Sequence, residues 1–118
     1  MKTSHSDITA YQTKDGSLIR ELMHPNQHAV KLQSLAEATI PAGVTTHLHR
    51  HHCSEELYHI TQGYGEMRLD QALFPVAPGD TVVIAPGTPH AISNSGTDDL
   101  VILCCCTPPY RHEDTELL

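Results

Sequence analysis

The sequence predicts an all-β sandwich or barrel. Turn residues recur at short, regular intervals from about Ser17 onward, and the segments between them alternate in polarity or are rich in β-branched residues. None of these segments shows a sustained period of 3.6 residues, except for a weak case from Leu32 to Ala38. With one Phe, four Tyr and no Trp in 118 residues, the core must be aliphatic. A chain of this length fits one domain.

Nine segments carry the strand prediction, and turn signals containing Pro, Gly, Asn or Asp separate most of them. In chain order they are residues 17–22, 29–40, 45–51, 56–62, 64–70, 72–76, 81–85, 90–94 and 100–106. The stretch QSLAEA in the second segment also favours helix by propensity. Its extended flanks and the lack of caps favour a strand. The last segment, LVILCCC, is an apolar run typical of a strand buried on both faces or nearly so.

The chain divides into three predicted parts. Residues 1–16 are polar and form an N-terminal arm, residues 17–107 form the barrel, and residues 108–118 form an acidic C-terminal tail. The tail begins with a double proline and carries an acidic cluster; a solvated tail is the default expectation, and packing over the barrel or one helical turn after Glu113 are the alternatives.

The charge balance excludes some partners. The formal net charge of -7 argues against nucleic acid or an anionic membrane as the main partner. No apolar run is long enough to span a bilayer, and no charged-then-apolar leader opens the sequence. We therefore expect a soluble, cytoplasmic protein whose partner is a small-molecule ligand.

The four cysteines, Cys53 and the run Cys104 to Cys106, do not form a disulfide-scaffold pattern. Free thiols fit a reducing compartment. In a strand, Cys105 faces away from Cys104 and Cys106, so the three thiols cannot jointly hold one zinc ion. We interpret Cys104, Cys105 and Cys106 as small buried hydrophobic residues and Cys53 as an exposed, inert loop side chain, with a reactive thiol as the alternative for Cys53.

Histidines at close spacing indicate a metal site. His49 and His51 are two residues apart, so in a strand both imidazoles project from one face. Glu56 follows after room for a turn, and His90 follows a Pro-Gly-Thr-Pro turn. Three imidazoles and one carboxylate would supply four of the six ligands of a six-coordinate transition metal and leave two coordination positions open.

The residues alone leave the ligand pair open. His47 shares the strand face of His49 and His51, but His47 and His51 would stand about 13 Å apart, too far to hold one ion together. The pair is therefore His47 with His49 or His49 with His51. Glu55 is a neighbour of Glu56 and an alternative carboxylate ligand.

Two motifs resemble those of a small single-domain cupin. The first, G-x5-H-x-H-x(3,4)-E-x6-G, is matched by Gly43, His49, His51, Glu56 and Gly63. The second, G-x5-P-x-G-x2-H-x3-N, is matched by Gly79, Gly87, His90 and Asn94, with Ala85 where the family usually has its first proline. The resemblance implies a double-stranded β-helix, or jelly-roll barrel, with a metal near its centre. It also selects His49, His51, Glu56 and His90 as the ligands.

Further residues are candidates for the pocket. His47 either supports the site or lines the barrel, and Arg20 either binds a substrate carboxylate or phosphate or forms a surface salt bridge. The candidate pocket walls, chosen by strand parity with Glu56 and His90, are Tyr58, Ile60, Ile92 and Asn94. The Tyr58 hydroxyl is a possible donor to a bound ligand.

The leading functional hypothesis is a cupin that binds one divalent transition metal (Fe, Mn, Ni, Zn or Cu) and binds or converts a small oxygen-rich molecule. Three alternatives stay open: a metal-dependent dioxygenase, a metal-dependent sugar or sugar-phosphate isomerase, and a non-catalytic small-molecule binding or sensor module. The fold does not choose among them. A homodimer is the expected assembly.

Overall fold

The computed structural model describes all 118 residues as two antiparallel β-sheets that share one core. The larger sheet contains, in spatial order, β1 (Tyr11–Gln12), β2 (Leu18–Met23), β3 (Ser34–Ile40), β10 (Leu100–Thr107), β5 (Glu55–Gln62) and β8 (Thr81–Ile84). The smaller sheet contains β11 (Thr115–Leu117), β4 (His49–His51), β9 (His90–Asn94), β6 (Gly65–Leu69) and β7 (Ala72–Val76). The predicted all-β jelly-roll fold is confirmed.

Helical structure is limited to two single turns, the 3₁₀ helices His5–Asp7 and His112–Asp114. The structure contains no helix with the length and apolar character that a membrane crossing requires.

The core forms where alternating inward residues of neighbouring strands line up. The register places Ile19, Ala38, Ile102 and Ile60 side by side across four strands of the larger sheet. All four belong to one hydrophobic cluster, which the smaller sheet completes with residues such as Met67. The core is mainly aliphatic, as the scarcity of aromatic residues requires. The strand prediction for QSLAEA also holds, because most of this stretch lies in β3.

Strand β10 differs from its predicted burial on both faces. Its inward residues, including Cys104 and Cys106, are buried, whereas the alternate residues are half-buried or exposed. The outer face of the larger sheet has no second layer over it, so an apolar sequence does not ensure burial there. The predicted alternation of the cysteines is confirmed, with Cys105 on the outer face.

The C-terminal residues are not a solvated tail. Strand β11 pairs with β4 at the edge of the smaller sheet, and Asp114 and Thr115 are each 5 % exposed. The Asp114 carboxylate accepts hydrogen bonds from the backbone N–H groups of Cys53 and Ser54. Docking this segment satisfies an edge of β4 that would otherwise be unpaired. The N-terminal arm also contributes a strand, β1, which pairs with β2.

Gly63 turns the chain between β5 and β6. Its φ is +85°, and a Cβ atom at this position would lie 2.5 Å from the carbonyl oxygen of Asp99. Both the backbone conformation and the close approach therefore require glycine.

Candidate metal centre

Three histidine side chains from two neighbouring strands meet inside the barrel. His49 and His51 lie at the two ends of β4, and His90 opens β9 directly opposite His49. All three are at most 4 % exposed. One ring nitrogen of each lies within 4.8 Å of the other two. The three histidines are therefore placed to bind one metal ion.

Backbone carbonyls fix the orientation of two of these rings. The Nδ1 atoms of His49 and His90 lie 2.8 and 2.9 Å from the carbonyl oxygens of His47 and Thr88. Because a carbonyl oxygen can only accept, each Nδ1 carries the proton and each Nε2 keeps its lone pair. Metal-binding histidines in proteins are usually held in this way.

His51 is held in the same way through a hydroxyl. Its Nδ1 lies 3.0 Å from Thr115 Oγ1, and that hydroxyl donates its proton to the carbonyl of Arg111 at 3.1 Å. The hydroxyl oxygen therefore accepts the Nδ1 proton of His51, and the His51 Nε2 keeps its lone pair. The C-terminal strand thus positions one of the three histidines.

Glu56 reaches the histidines from β5 of the larger sheet. Its Oε1 lies 3.3 Å from His51 Nε2 and 3.5 Å from His90 Nε2. Lone pairs then face one another, and both Glu56 Oε1 and His90 Nε2 are buried without a hydrogen-bond partner. A buried polar atom without a partner costs about 1–3 kcal/mol. A cation between these atoms would satisfy them, so the donor set fits a divalent transition metal.

The electrostatics keep Glu56 charged and favour a neutral His49. Burial raises the pKa of Glu56, but the imidazoles of His51 and His90, when protonated, outweigh burial and bring it to about 2. Burial lowers the pKa of His49, His90 lowers it further, and Asp15 partly opposes both. Metals bind the neutral imidazole, so the lowered pKa of His49 favours coordination, whereas the Glu56 shift describes the metal-free protein with protonated imidazoles.

A small cavity of about 40 Å³ adjoins the histidines. A single water needs about 10–15 Å³, so the enclosed part holds only a ligand portion of a few non-hydrogen atoms. Its polar lining residues include Asp15, Glu21, Glu56 and Tyr58, and none of the 16 lining residues is Lys or Arg.

The strand register explains which side chains line this cavity. One row across the larger sheet contains Glu21, Ala36, Cys104 and Tyr58, which are register partners on β2, β3, β10 and β5. All four line the cavity. The two central residues of the row are small, so space remains between the longer side chains at its ends.

The four predicted wall residues lie in different places: one lines the cavity, two lie in the core, and one bonds to the backbone. Tyr58 lines the cavity. Ile60 and Ile92 pack in the hydrophobic cluster instead and do not line the cavity. The side-chain amide of Asn94 donates to two backbone carbonyls, so it pins a loop rather than facing a ligand. Strand parity identified the inward face correctly, but it cannot say how deep along the strand the cavity extends.

His47 and Arg20 lie outside the cavity. Strand β4 begins only at His49, so the parity argument does not reach His47, which is exposed and contributes its carbonyl oxygen to His49. Arg20 neighbours Glu21 on β2 and therefore faces the opposite side of the sheet. Its Nε donates to the carbonyl of Ile8, and its guanidinium lies 4.0 Å from Glu37. The surface-pairing alternative for Arg20 is the one observed.

Several residues of the site escaped the sequence analysis. They are Asp15, Glu21, Cys104, Cys106, Tyr110 and Thr115. The Cys106 thiol donates to Glu56 Oε2 at 3.2 Å, and parity with Cys104 could have placed it on the inner face. No local signal marks Asp15 or Thr115, because only the packing of both chain ends against β4 brings them to the histidines.

Comparisons with known proteins agree with this architecture. Residues 36–106 match the family model described as "Cupin domain". The uncharacterized protein MJ1618 of Methanocaldococcus jannaschii is 55% identical over 118 residues, which are 100% of this chain and 94% of the relative.

Solved structures at lower identity share the fold. A predicted oxalate decarboxylase of Thermotoga maritima is 24% identical with a TM-score of 0.80, over 92% of this chain and 99% of that one. KdgF from Halomonas sp. is 16% identical with a TM-score of 0.81, over 96% and 98%. Pac13, a nucleoside dehydratase of Streptomyces, is 13% identical with a TM-score of 0.82, over 100% and 90%. By motif, fold and family match, the chain belongs to the cupin family.

Proposed function

We propose that this protein is a metal-dependent enzyme that binds one divalent transition metal (Fe, Mn, Ni, Zn or Cu) and converts a small oxygen-rich molecule. The protein ligands are His49, His51, His90 and Glu56. The observation that carries the proposal is the contact of Glu56 Oε1 with two ring nitrogens whose lone pairs face it. When bound, the metal supplies Lewis-acid or redox chemistry at the coordination positions that the protein leaves open.

The residues around the histidines support conversion of the ligand rather than storage. Tyr58, whose hydroxyl has no hydrogen-bond partner in the chain, lines the cavity, and Asp15 Oδ2 lies 3.7 Å from His49 Nε2. A substrate in the cavity therefore meets a proton donor and a proton acceptor beside the metal-binding nitrogens. A non-catalytic binding module is the second candidate, and it predicts tight retention of a ligand without any product.

Elemental analysis tests the metal site directly. The protein is purified without added metal, alongside the double variant His49→Ala with His90→Ala and the control His59→Ala, whose imidazole is exposed on β5. We expect about one metal ion per chain in the wild type and the control, and none in the double variant. Absence of metal from all three, or equal metal in all three, would refute the proposed ligands.

Reaction class is tested next. Oxygen uptake by the iron, nickel or manganese form with diols and diketones would identify a dioxygenase, and its absence across the panel would exclude one. A sugar-phosphate isomerase has less support, because no Lys or Arg lines the cavity to hold a phosphate. Arg68 is exposed and donates to the carbonyl of Asp70.

We further propose a homodimer, supported by the outer face of the larger sheet. Register partners there form an apolar row of Leu35, Cys105, Leu57 and Val83, with Leu57 42% and Val83 57% exposed. Analytical ultracentrifugation of Leu57→Glu should give the monomer mass, whereas wild type and Leu73→Glu, a control on the smaller sheet, should give twice that mass. A wild-type mass near 13.0 kDa would contradict the dimer.

A further inference from the structure

The cavity beside the histidines carries more negative charge than the proposed metal ligand Glu56 supplies. Besides Glu56, its walls contain the carboxylates of Asp15 and Glu21, here called the acidic pair. No Lys or Arg lines the cavity. Lys14, the basic residue next to Asp15 in the sequence, does not face the cavity carboxylates, because its ammonium donates to the carbonyls of His112 and Thr115. The acidic pair therefore has no protein cation opposite it.

One oxygen of Glu21 is left for a ligand. Its Oε1 accepts a hydrogen bond from the Tyr11 hydroxyl at 2.7 Å, which holds the carboxylate in place. Its Oε2 is buried and has no hydrogen-bond partner. Burying a carboxylate oxygen without a donor is unfavourable, so this atom calls for a donor from outside the chain.

Asp15 presents a second free oxygen. Its Oδ1 accepts hydrogen bonds from the Thr13 hydroxyl and from the N–H and hydroxyl of Ser17, at 2.6–2.9 Å. These bonds fix the side chain, and Oδ2 lies 3.7 Å from His49 Nε2. One end of the acidic pair therefore adjoins the metal-binding nitrogens.

Tyr58 is an independent sign of a ligand in the same cavity. The residue is 6% exposed and lines the cavity, and no hydrogen bond within the chain involves its hydroxyl. The hydroxyl oxygen keeps some accessible surface, so a ligand in the cavity can contact it. Tyr58 and Glu21 stand at opposite ends of the row that contains Ala36 and Cys104, and all four residues line the same cavity.

Charge decides the class of that molecule. A divalent ion and Glu56 together leave one positive charge, and the acidic pair turns the sum to one negative charge. We propose that the ligand is a small molecule with a protonated amino group held by Asp15 and Glu21 and an oxygen atom directed at the metal, as in an amino alcohol. This inference rests on the proposed function. A carboxylate ligand would add negative charge to an already negative, poorly solvated cavity, which is unfavourable.

Three probes of one size test the preference for positive charge. They are 2-aminoethanol, ethane-1,2-diol and glycolate, which share a two-carbon frame and a hydroxyl but carry positive, zero and negative charge at pH 7. Binding to the zinc-loaded protein is measured by NMR titration. A charge-assisted hydrogen bond favours the amino alcohol over the diol by about tenfold in Kd. Equal Kd values for the three probes, or tightest binding of glycolate, would overturn the inference.

Variants assign the preference to the acidic pair. Glu21→Gln should weaken binding of 2-aminoethanol about tenfold and leave the diol unchanged within about twofold. The matched control is Glu66→Gln, because Glu66 is exposed on β6. An unchanged preference in Glu21→Gln would contradict the assignment. If that variant does not fold, the wild-type probe series still decides the preference for a cation.

Metal content, measured in the same samples, separates this inference from the proposed function. Zinc binding with no preference for the amino alcohol refutes the inference alone. Absence of zinc binding refutes the metal site alone, since the metal-free protein still contains the acidic pair and should still favour the amino alcohol over glycolate. A second zinc ion per chain that is lost in Glu21→Gln would identify the acidic pair as a metal site and overturn the inference.

Discussion

Replacing Thr115 by Val tests whether the C-terminal strand positions a metal ligand. Thr115 is 5% exposed, and its hydroxyl accepts the Nδ1 proton of His51 at 3.0 Å. Valine fills nearly the same volume without an acceptor, so a buried N–H loses its partner at a cost of about 1–3 kcal/mol. Groups that support a metal-binding histidine contribute about 10–100-fold to metal affinity. We expect a zinc Kd at least tenfold weaker in Thr115→Val.

Competition with a chromophoric chelator measures this Kd. Thr115→Ser, which keeps the hydroxyl, should bind zinc like the wild type. Thr61→Val is the matched control, because the Thr61 hydroxyl is exposed and bonds the carbonyl of Val101 far from the histidines. The reasoning fails if Thr115→Val and Thr61→Val bind zinc equally well, or if Thr115→Ser loses as much affinity as Thr115→Val.

Three further outcomes are expected. Because protonated His51 and His90 hold the pKa of Glu56 at about 2 against an ordinary 4.5, the metal-free protein should lose this stabilisation as the pH falls from 4.5 toward 2; chemical denaturation should show a loss of about 3 kcal/mol over this range that Glu56→Gln lacks. Gly63→Ala should lower Tm more than Gly79→Ala, since both have positive φ but only the Gly63 Cβ would meet Asp99; equal shifts would contradict the clash. Iodoacetamide should modify the exposed Cys53 before the two thiols that line the cavity, as mass spectrometry of digested peptides would show, and early loss of the cavity thiols would contradict their burial.

The fold and the histidine cluster were predictable because their signals are local. Strand parity puts His49 and His51 on one face, and the motif spacing fixes where β5 and β9 return to them. The presence of the three-histidine site and the jelly-roll fold are confirmed. Glu56 as the fourth ligand, the metal identity and the homodimer stay predictions.

The extent of each strand was less predictable. The segment 45–51 has uniform alternation, but only His49–His51 is in a strand. The pairing of β4 with β11, not the local sequence, sets its length. Ile60 and Ile92 were expected in the pocket but lie in the core. Strand parity gives the face of a side chain, whereas the opposing sheet decides which positions along the strand border the cavity.

By itself, the sequence determined an all-β barrel with three histidines on one inner surface, because side-chain alternation and turn spacing act over a few residues. Only the tertiary structure decided the surroundings of that site. Pairing of β11 with β4 brings Thr115 to His51 at one sheet edge, and Asp15 and Glu21, from the other end of the chain, line the adjoining cavity. Those long-range contacts surround the three histidines with a cavity that also contains carboxylates, which spacing along the sequence could not show.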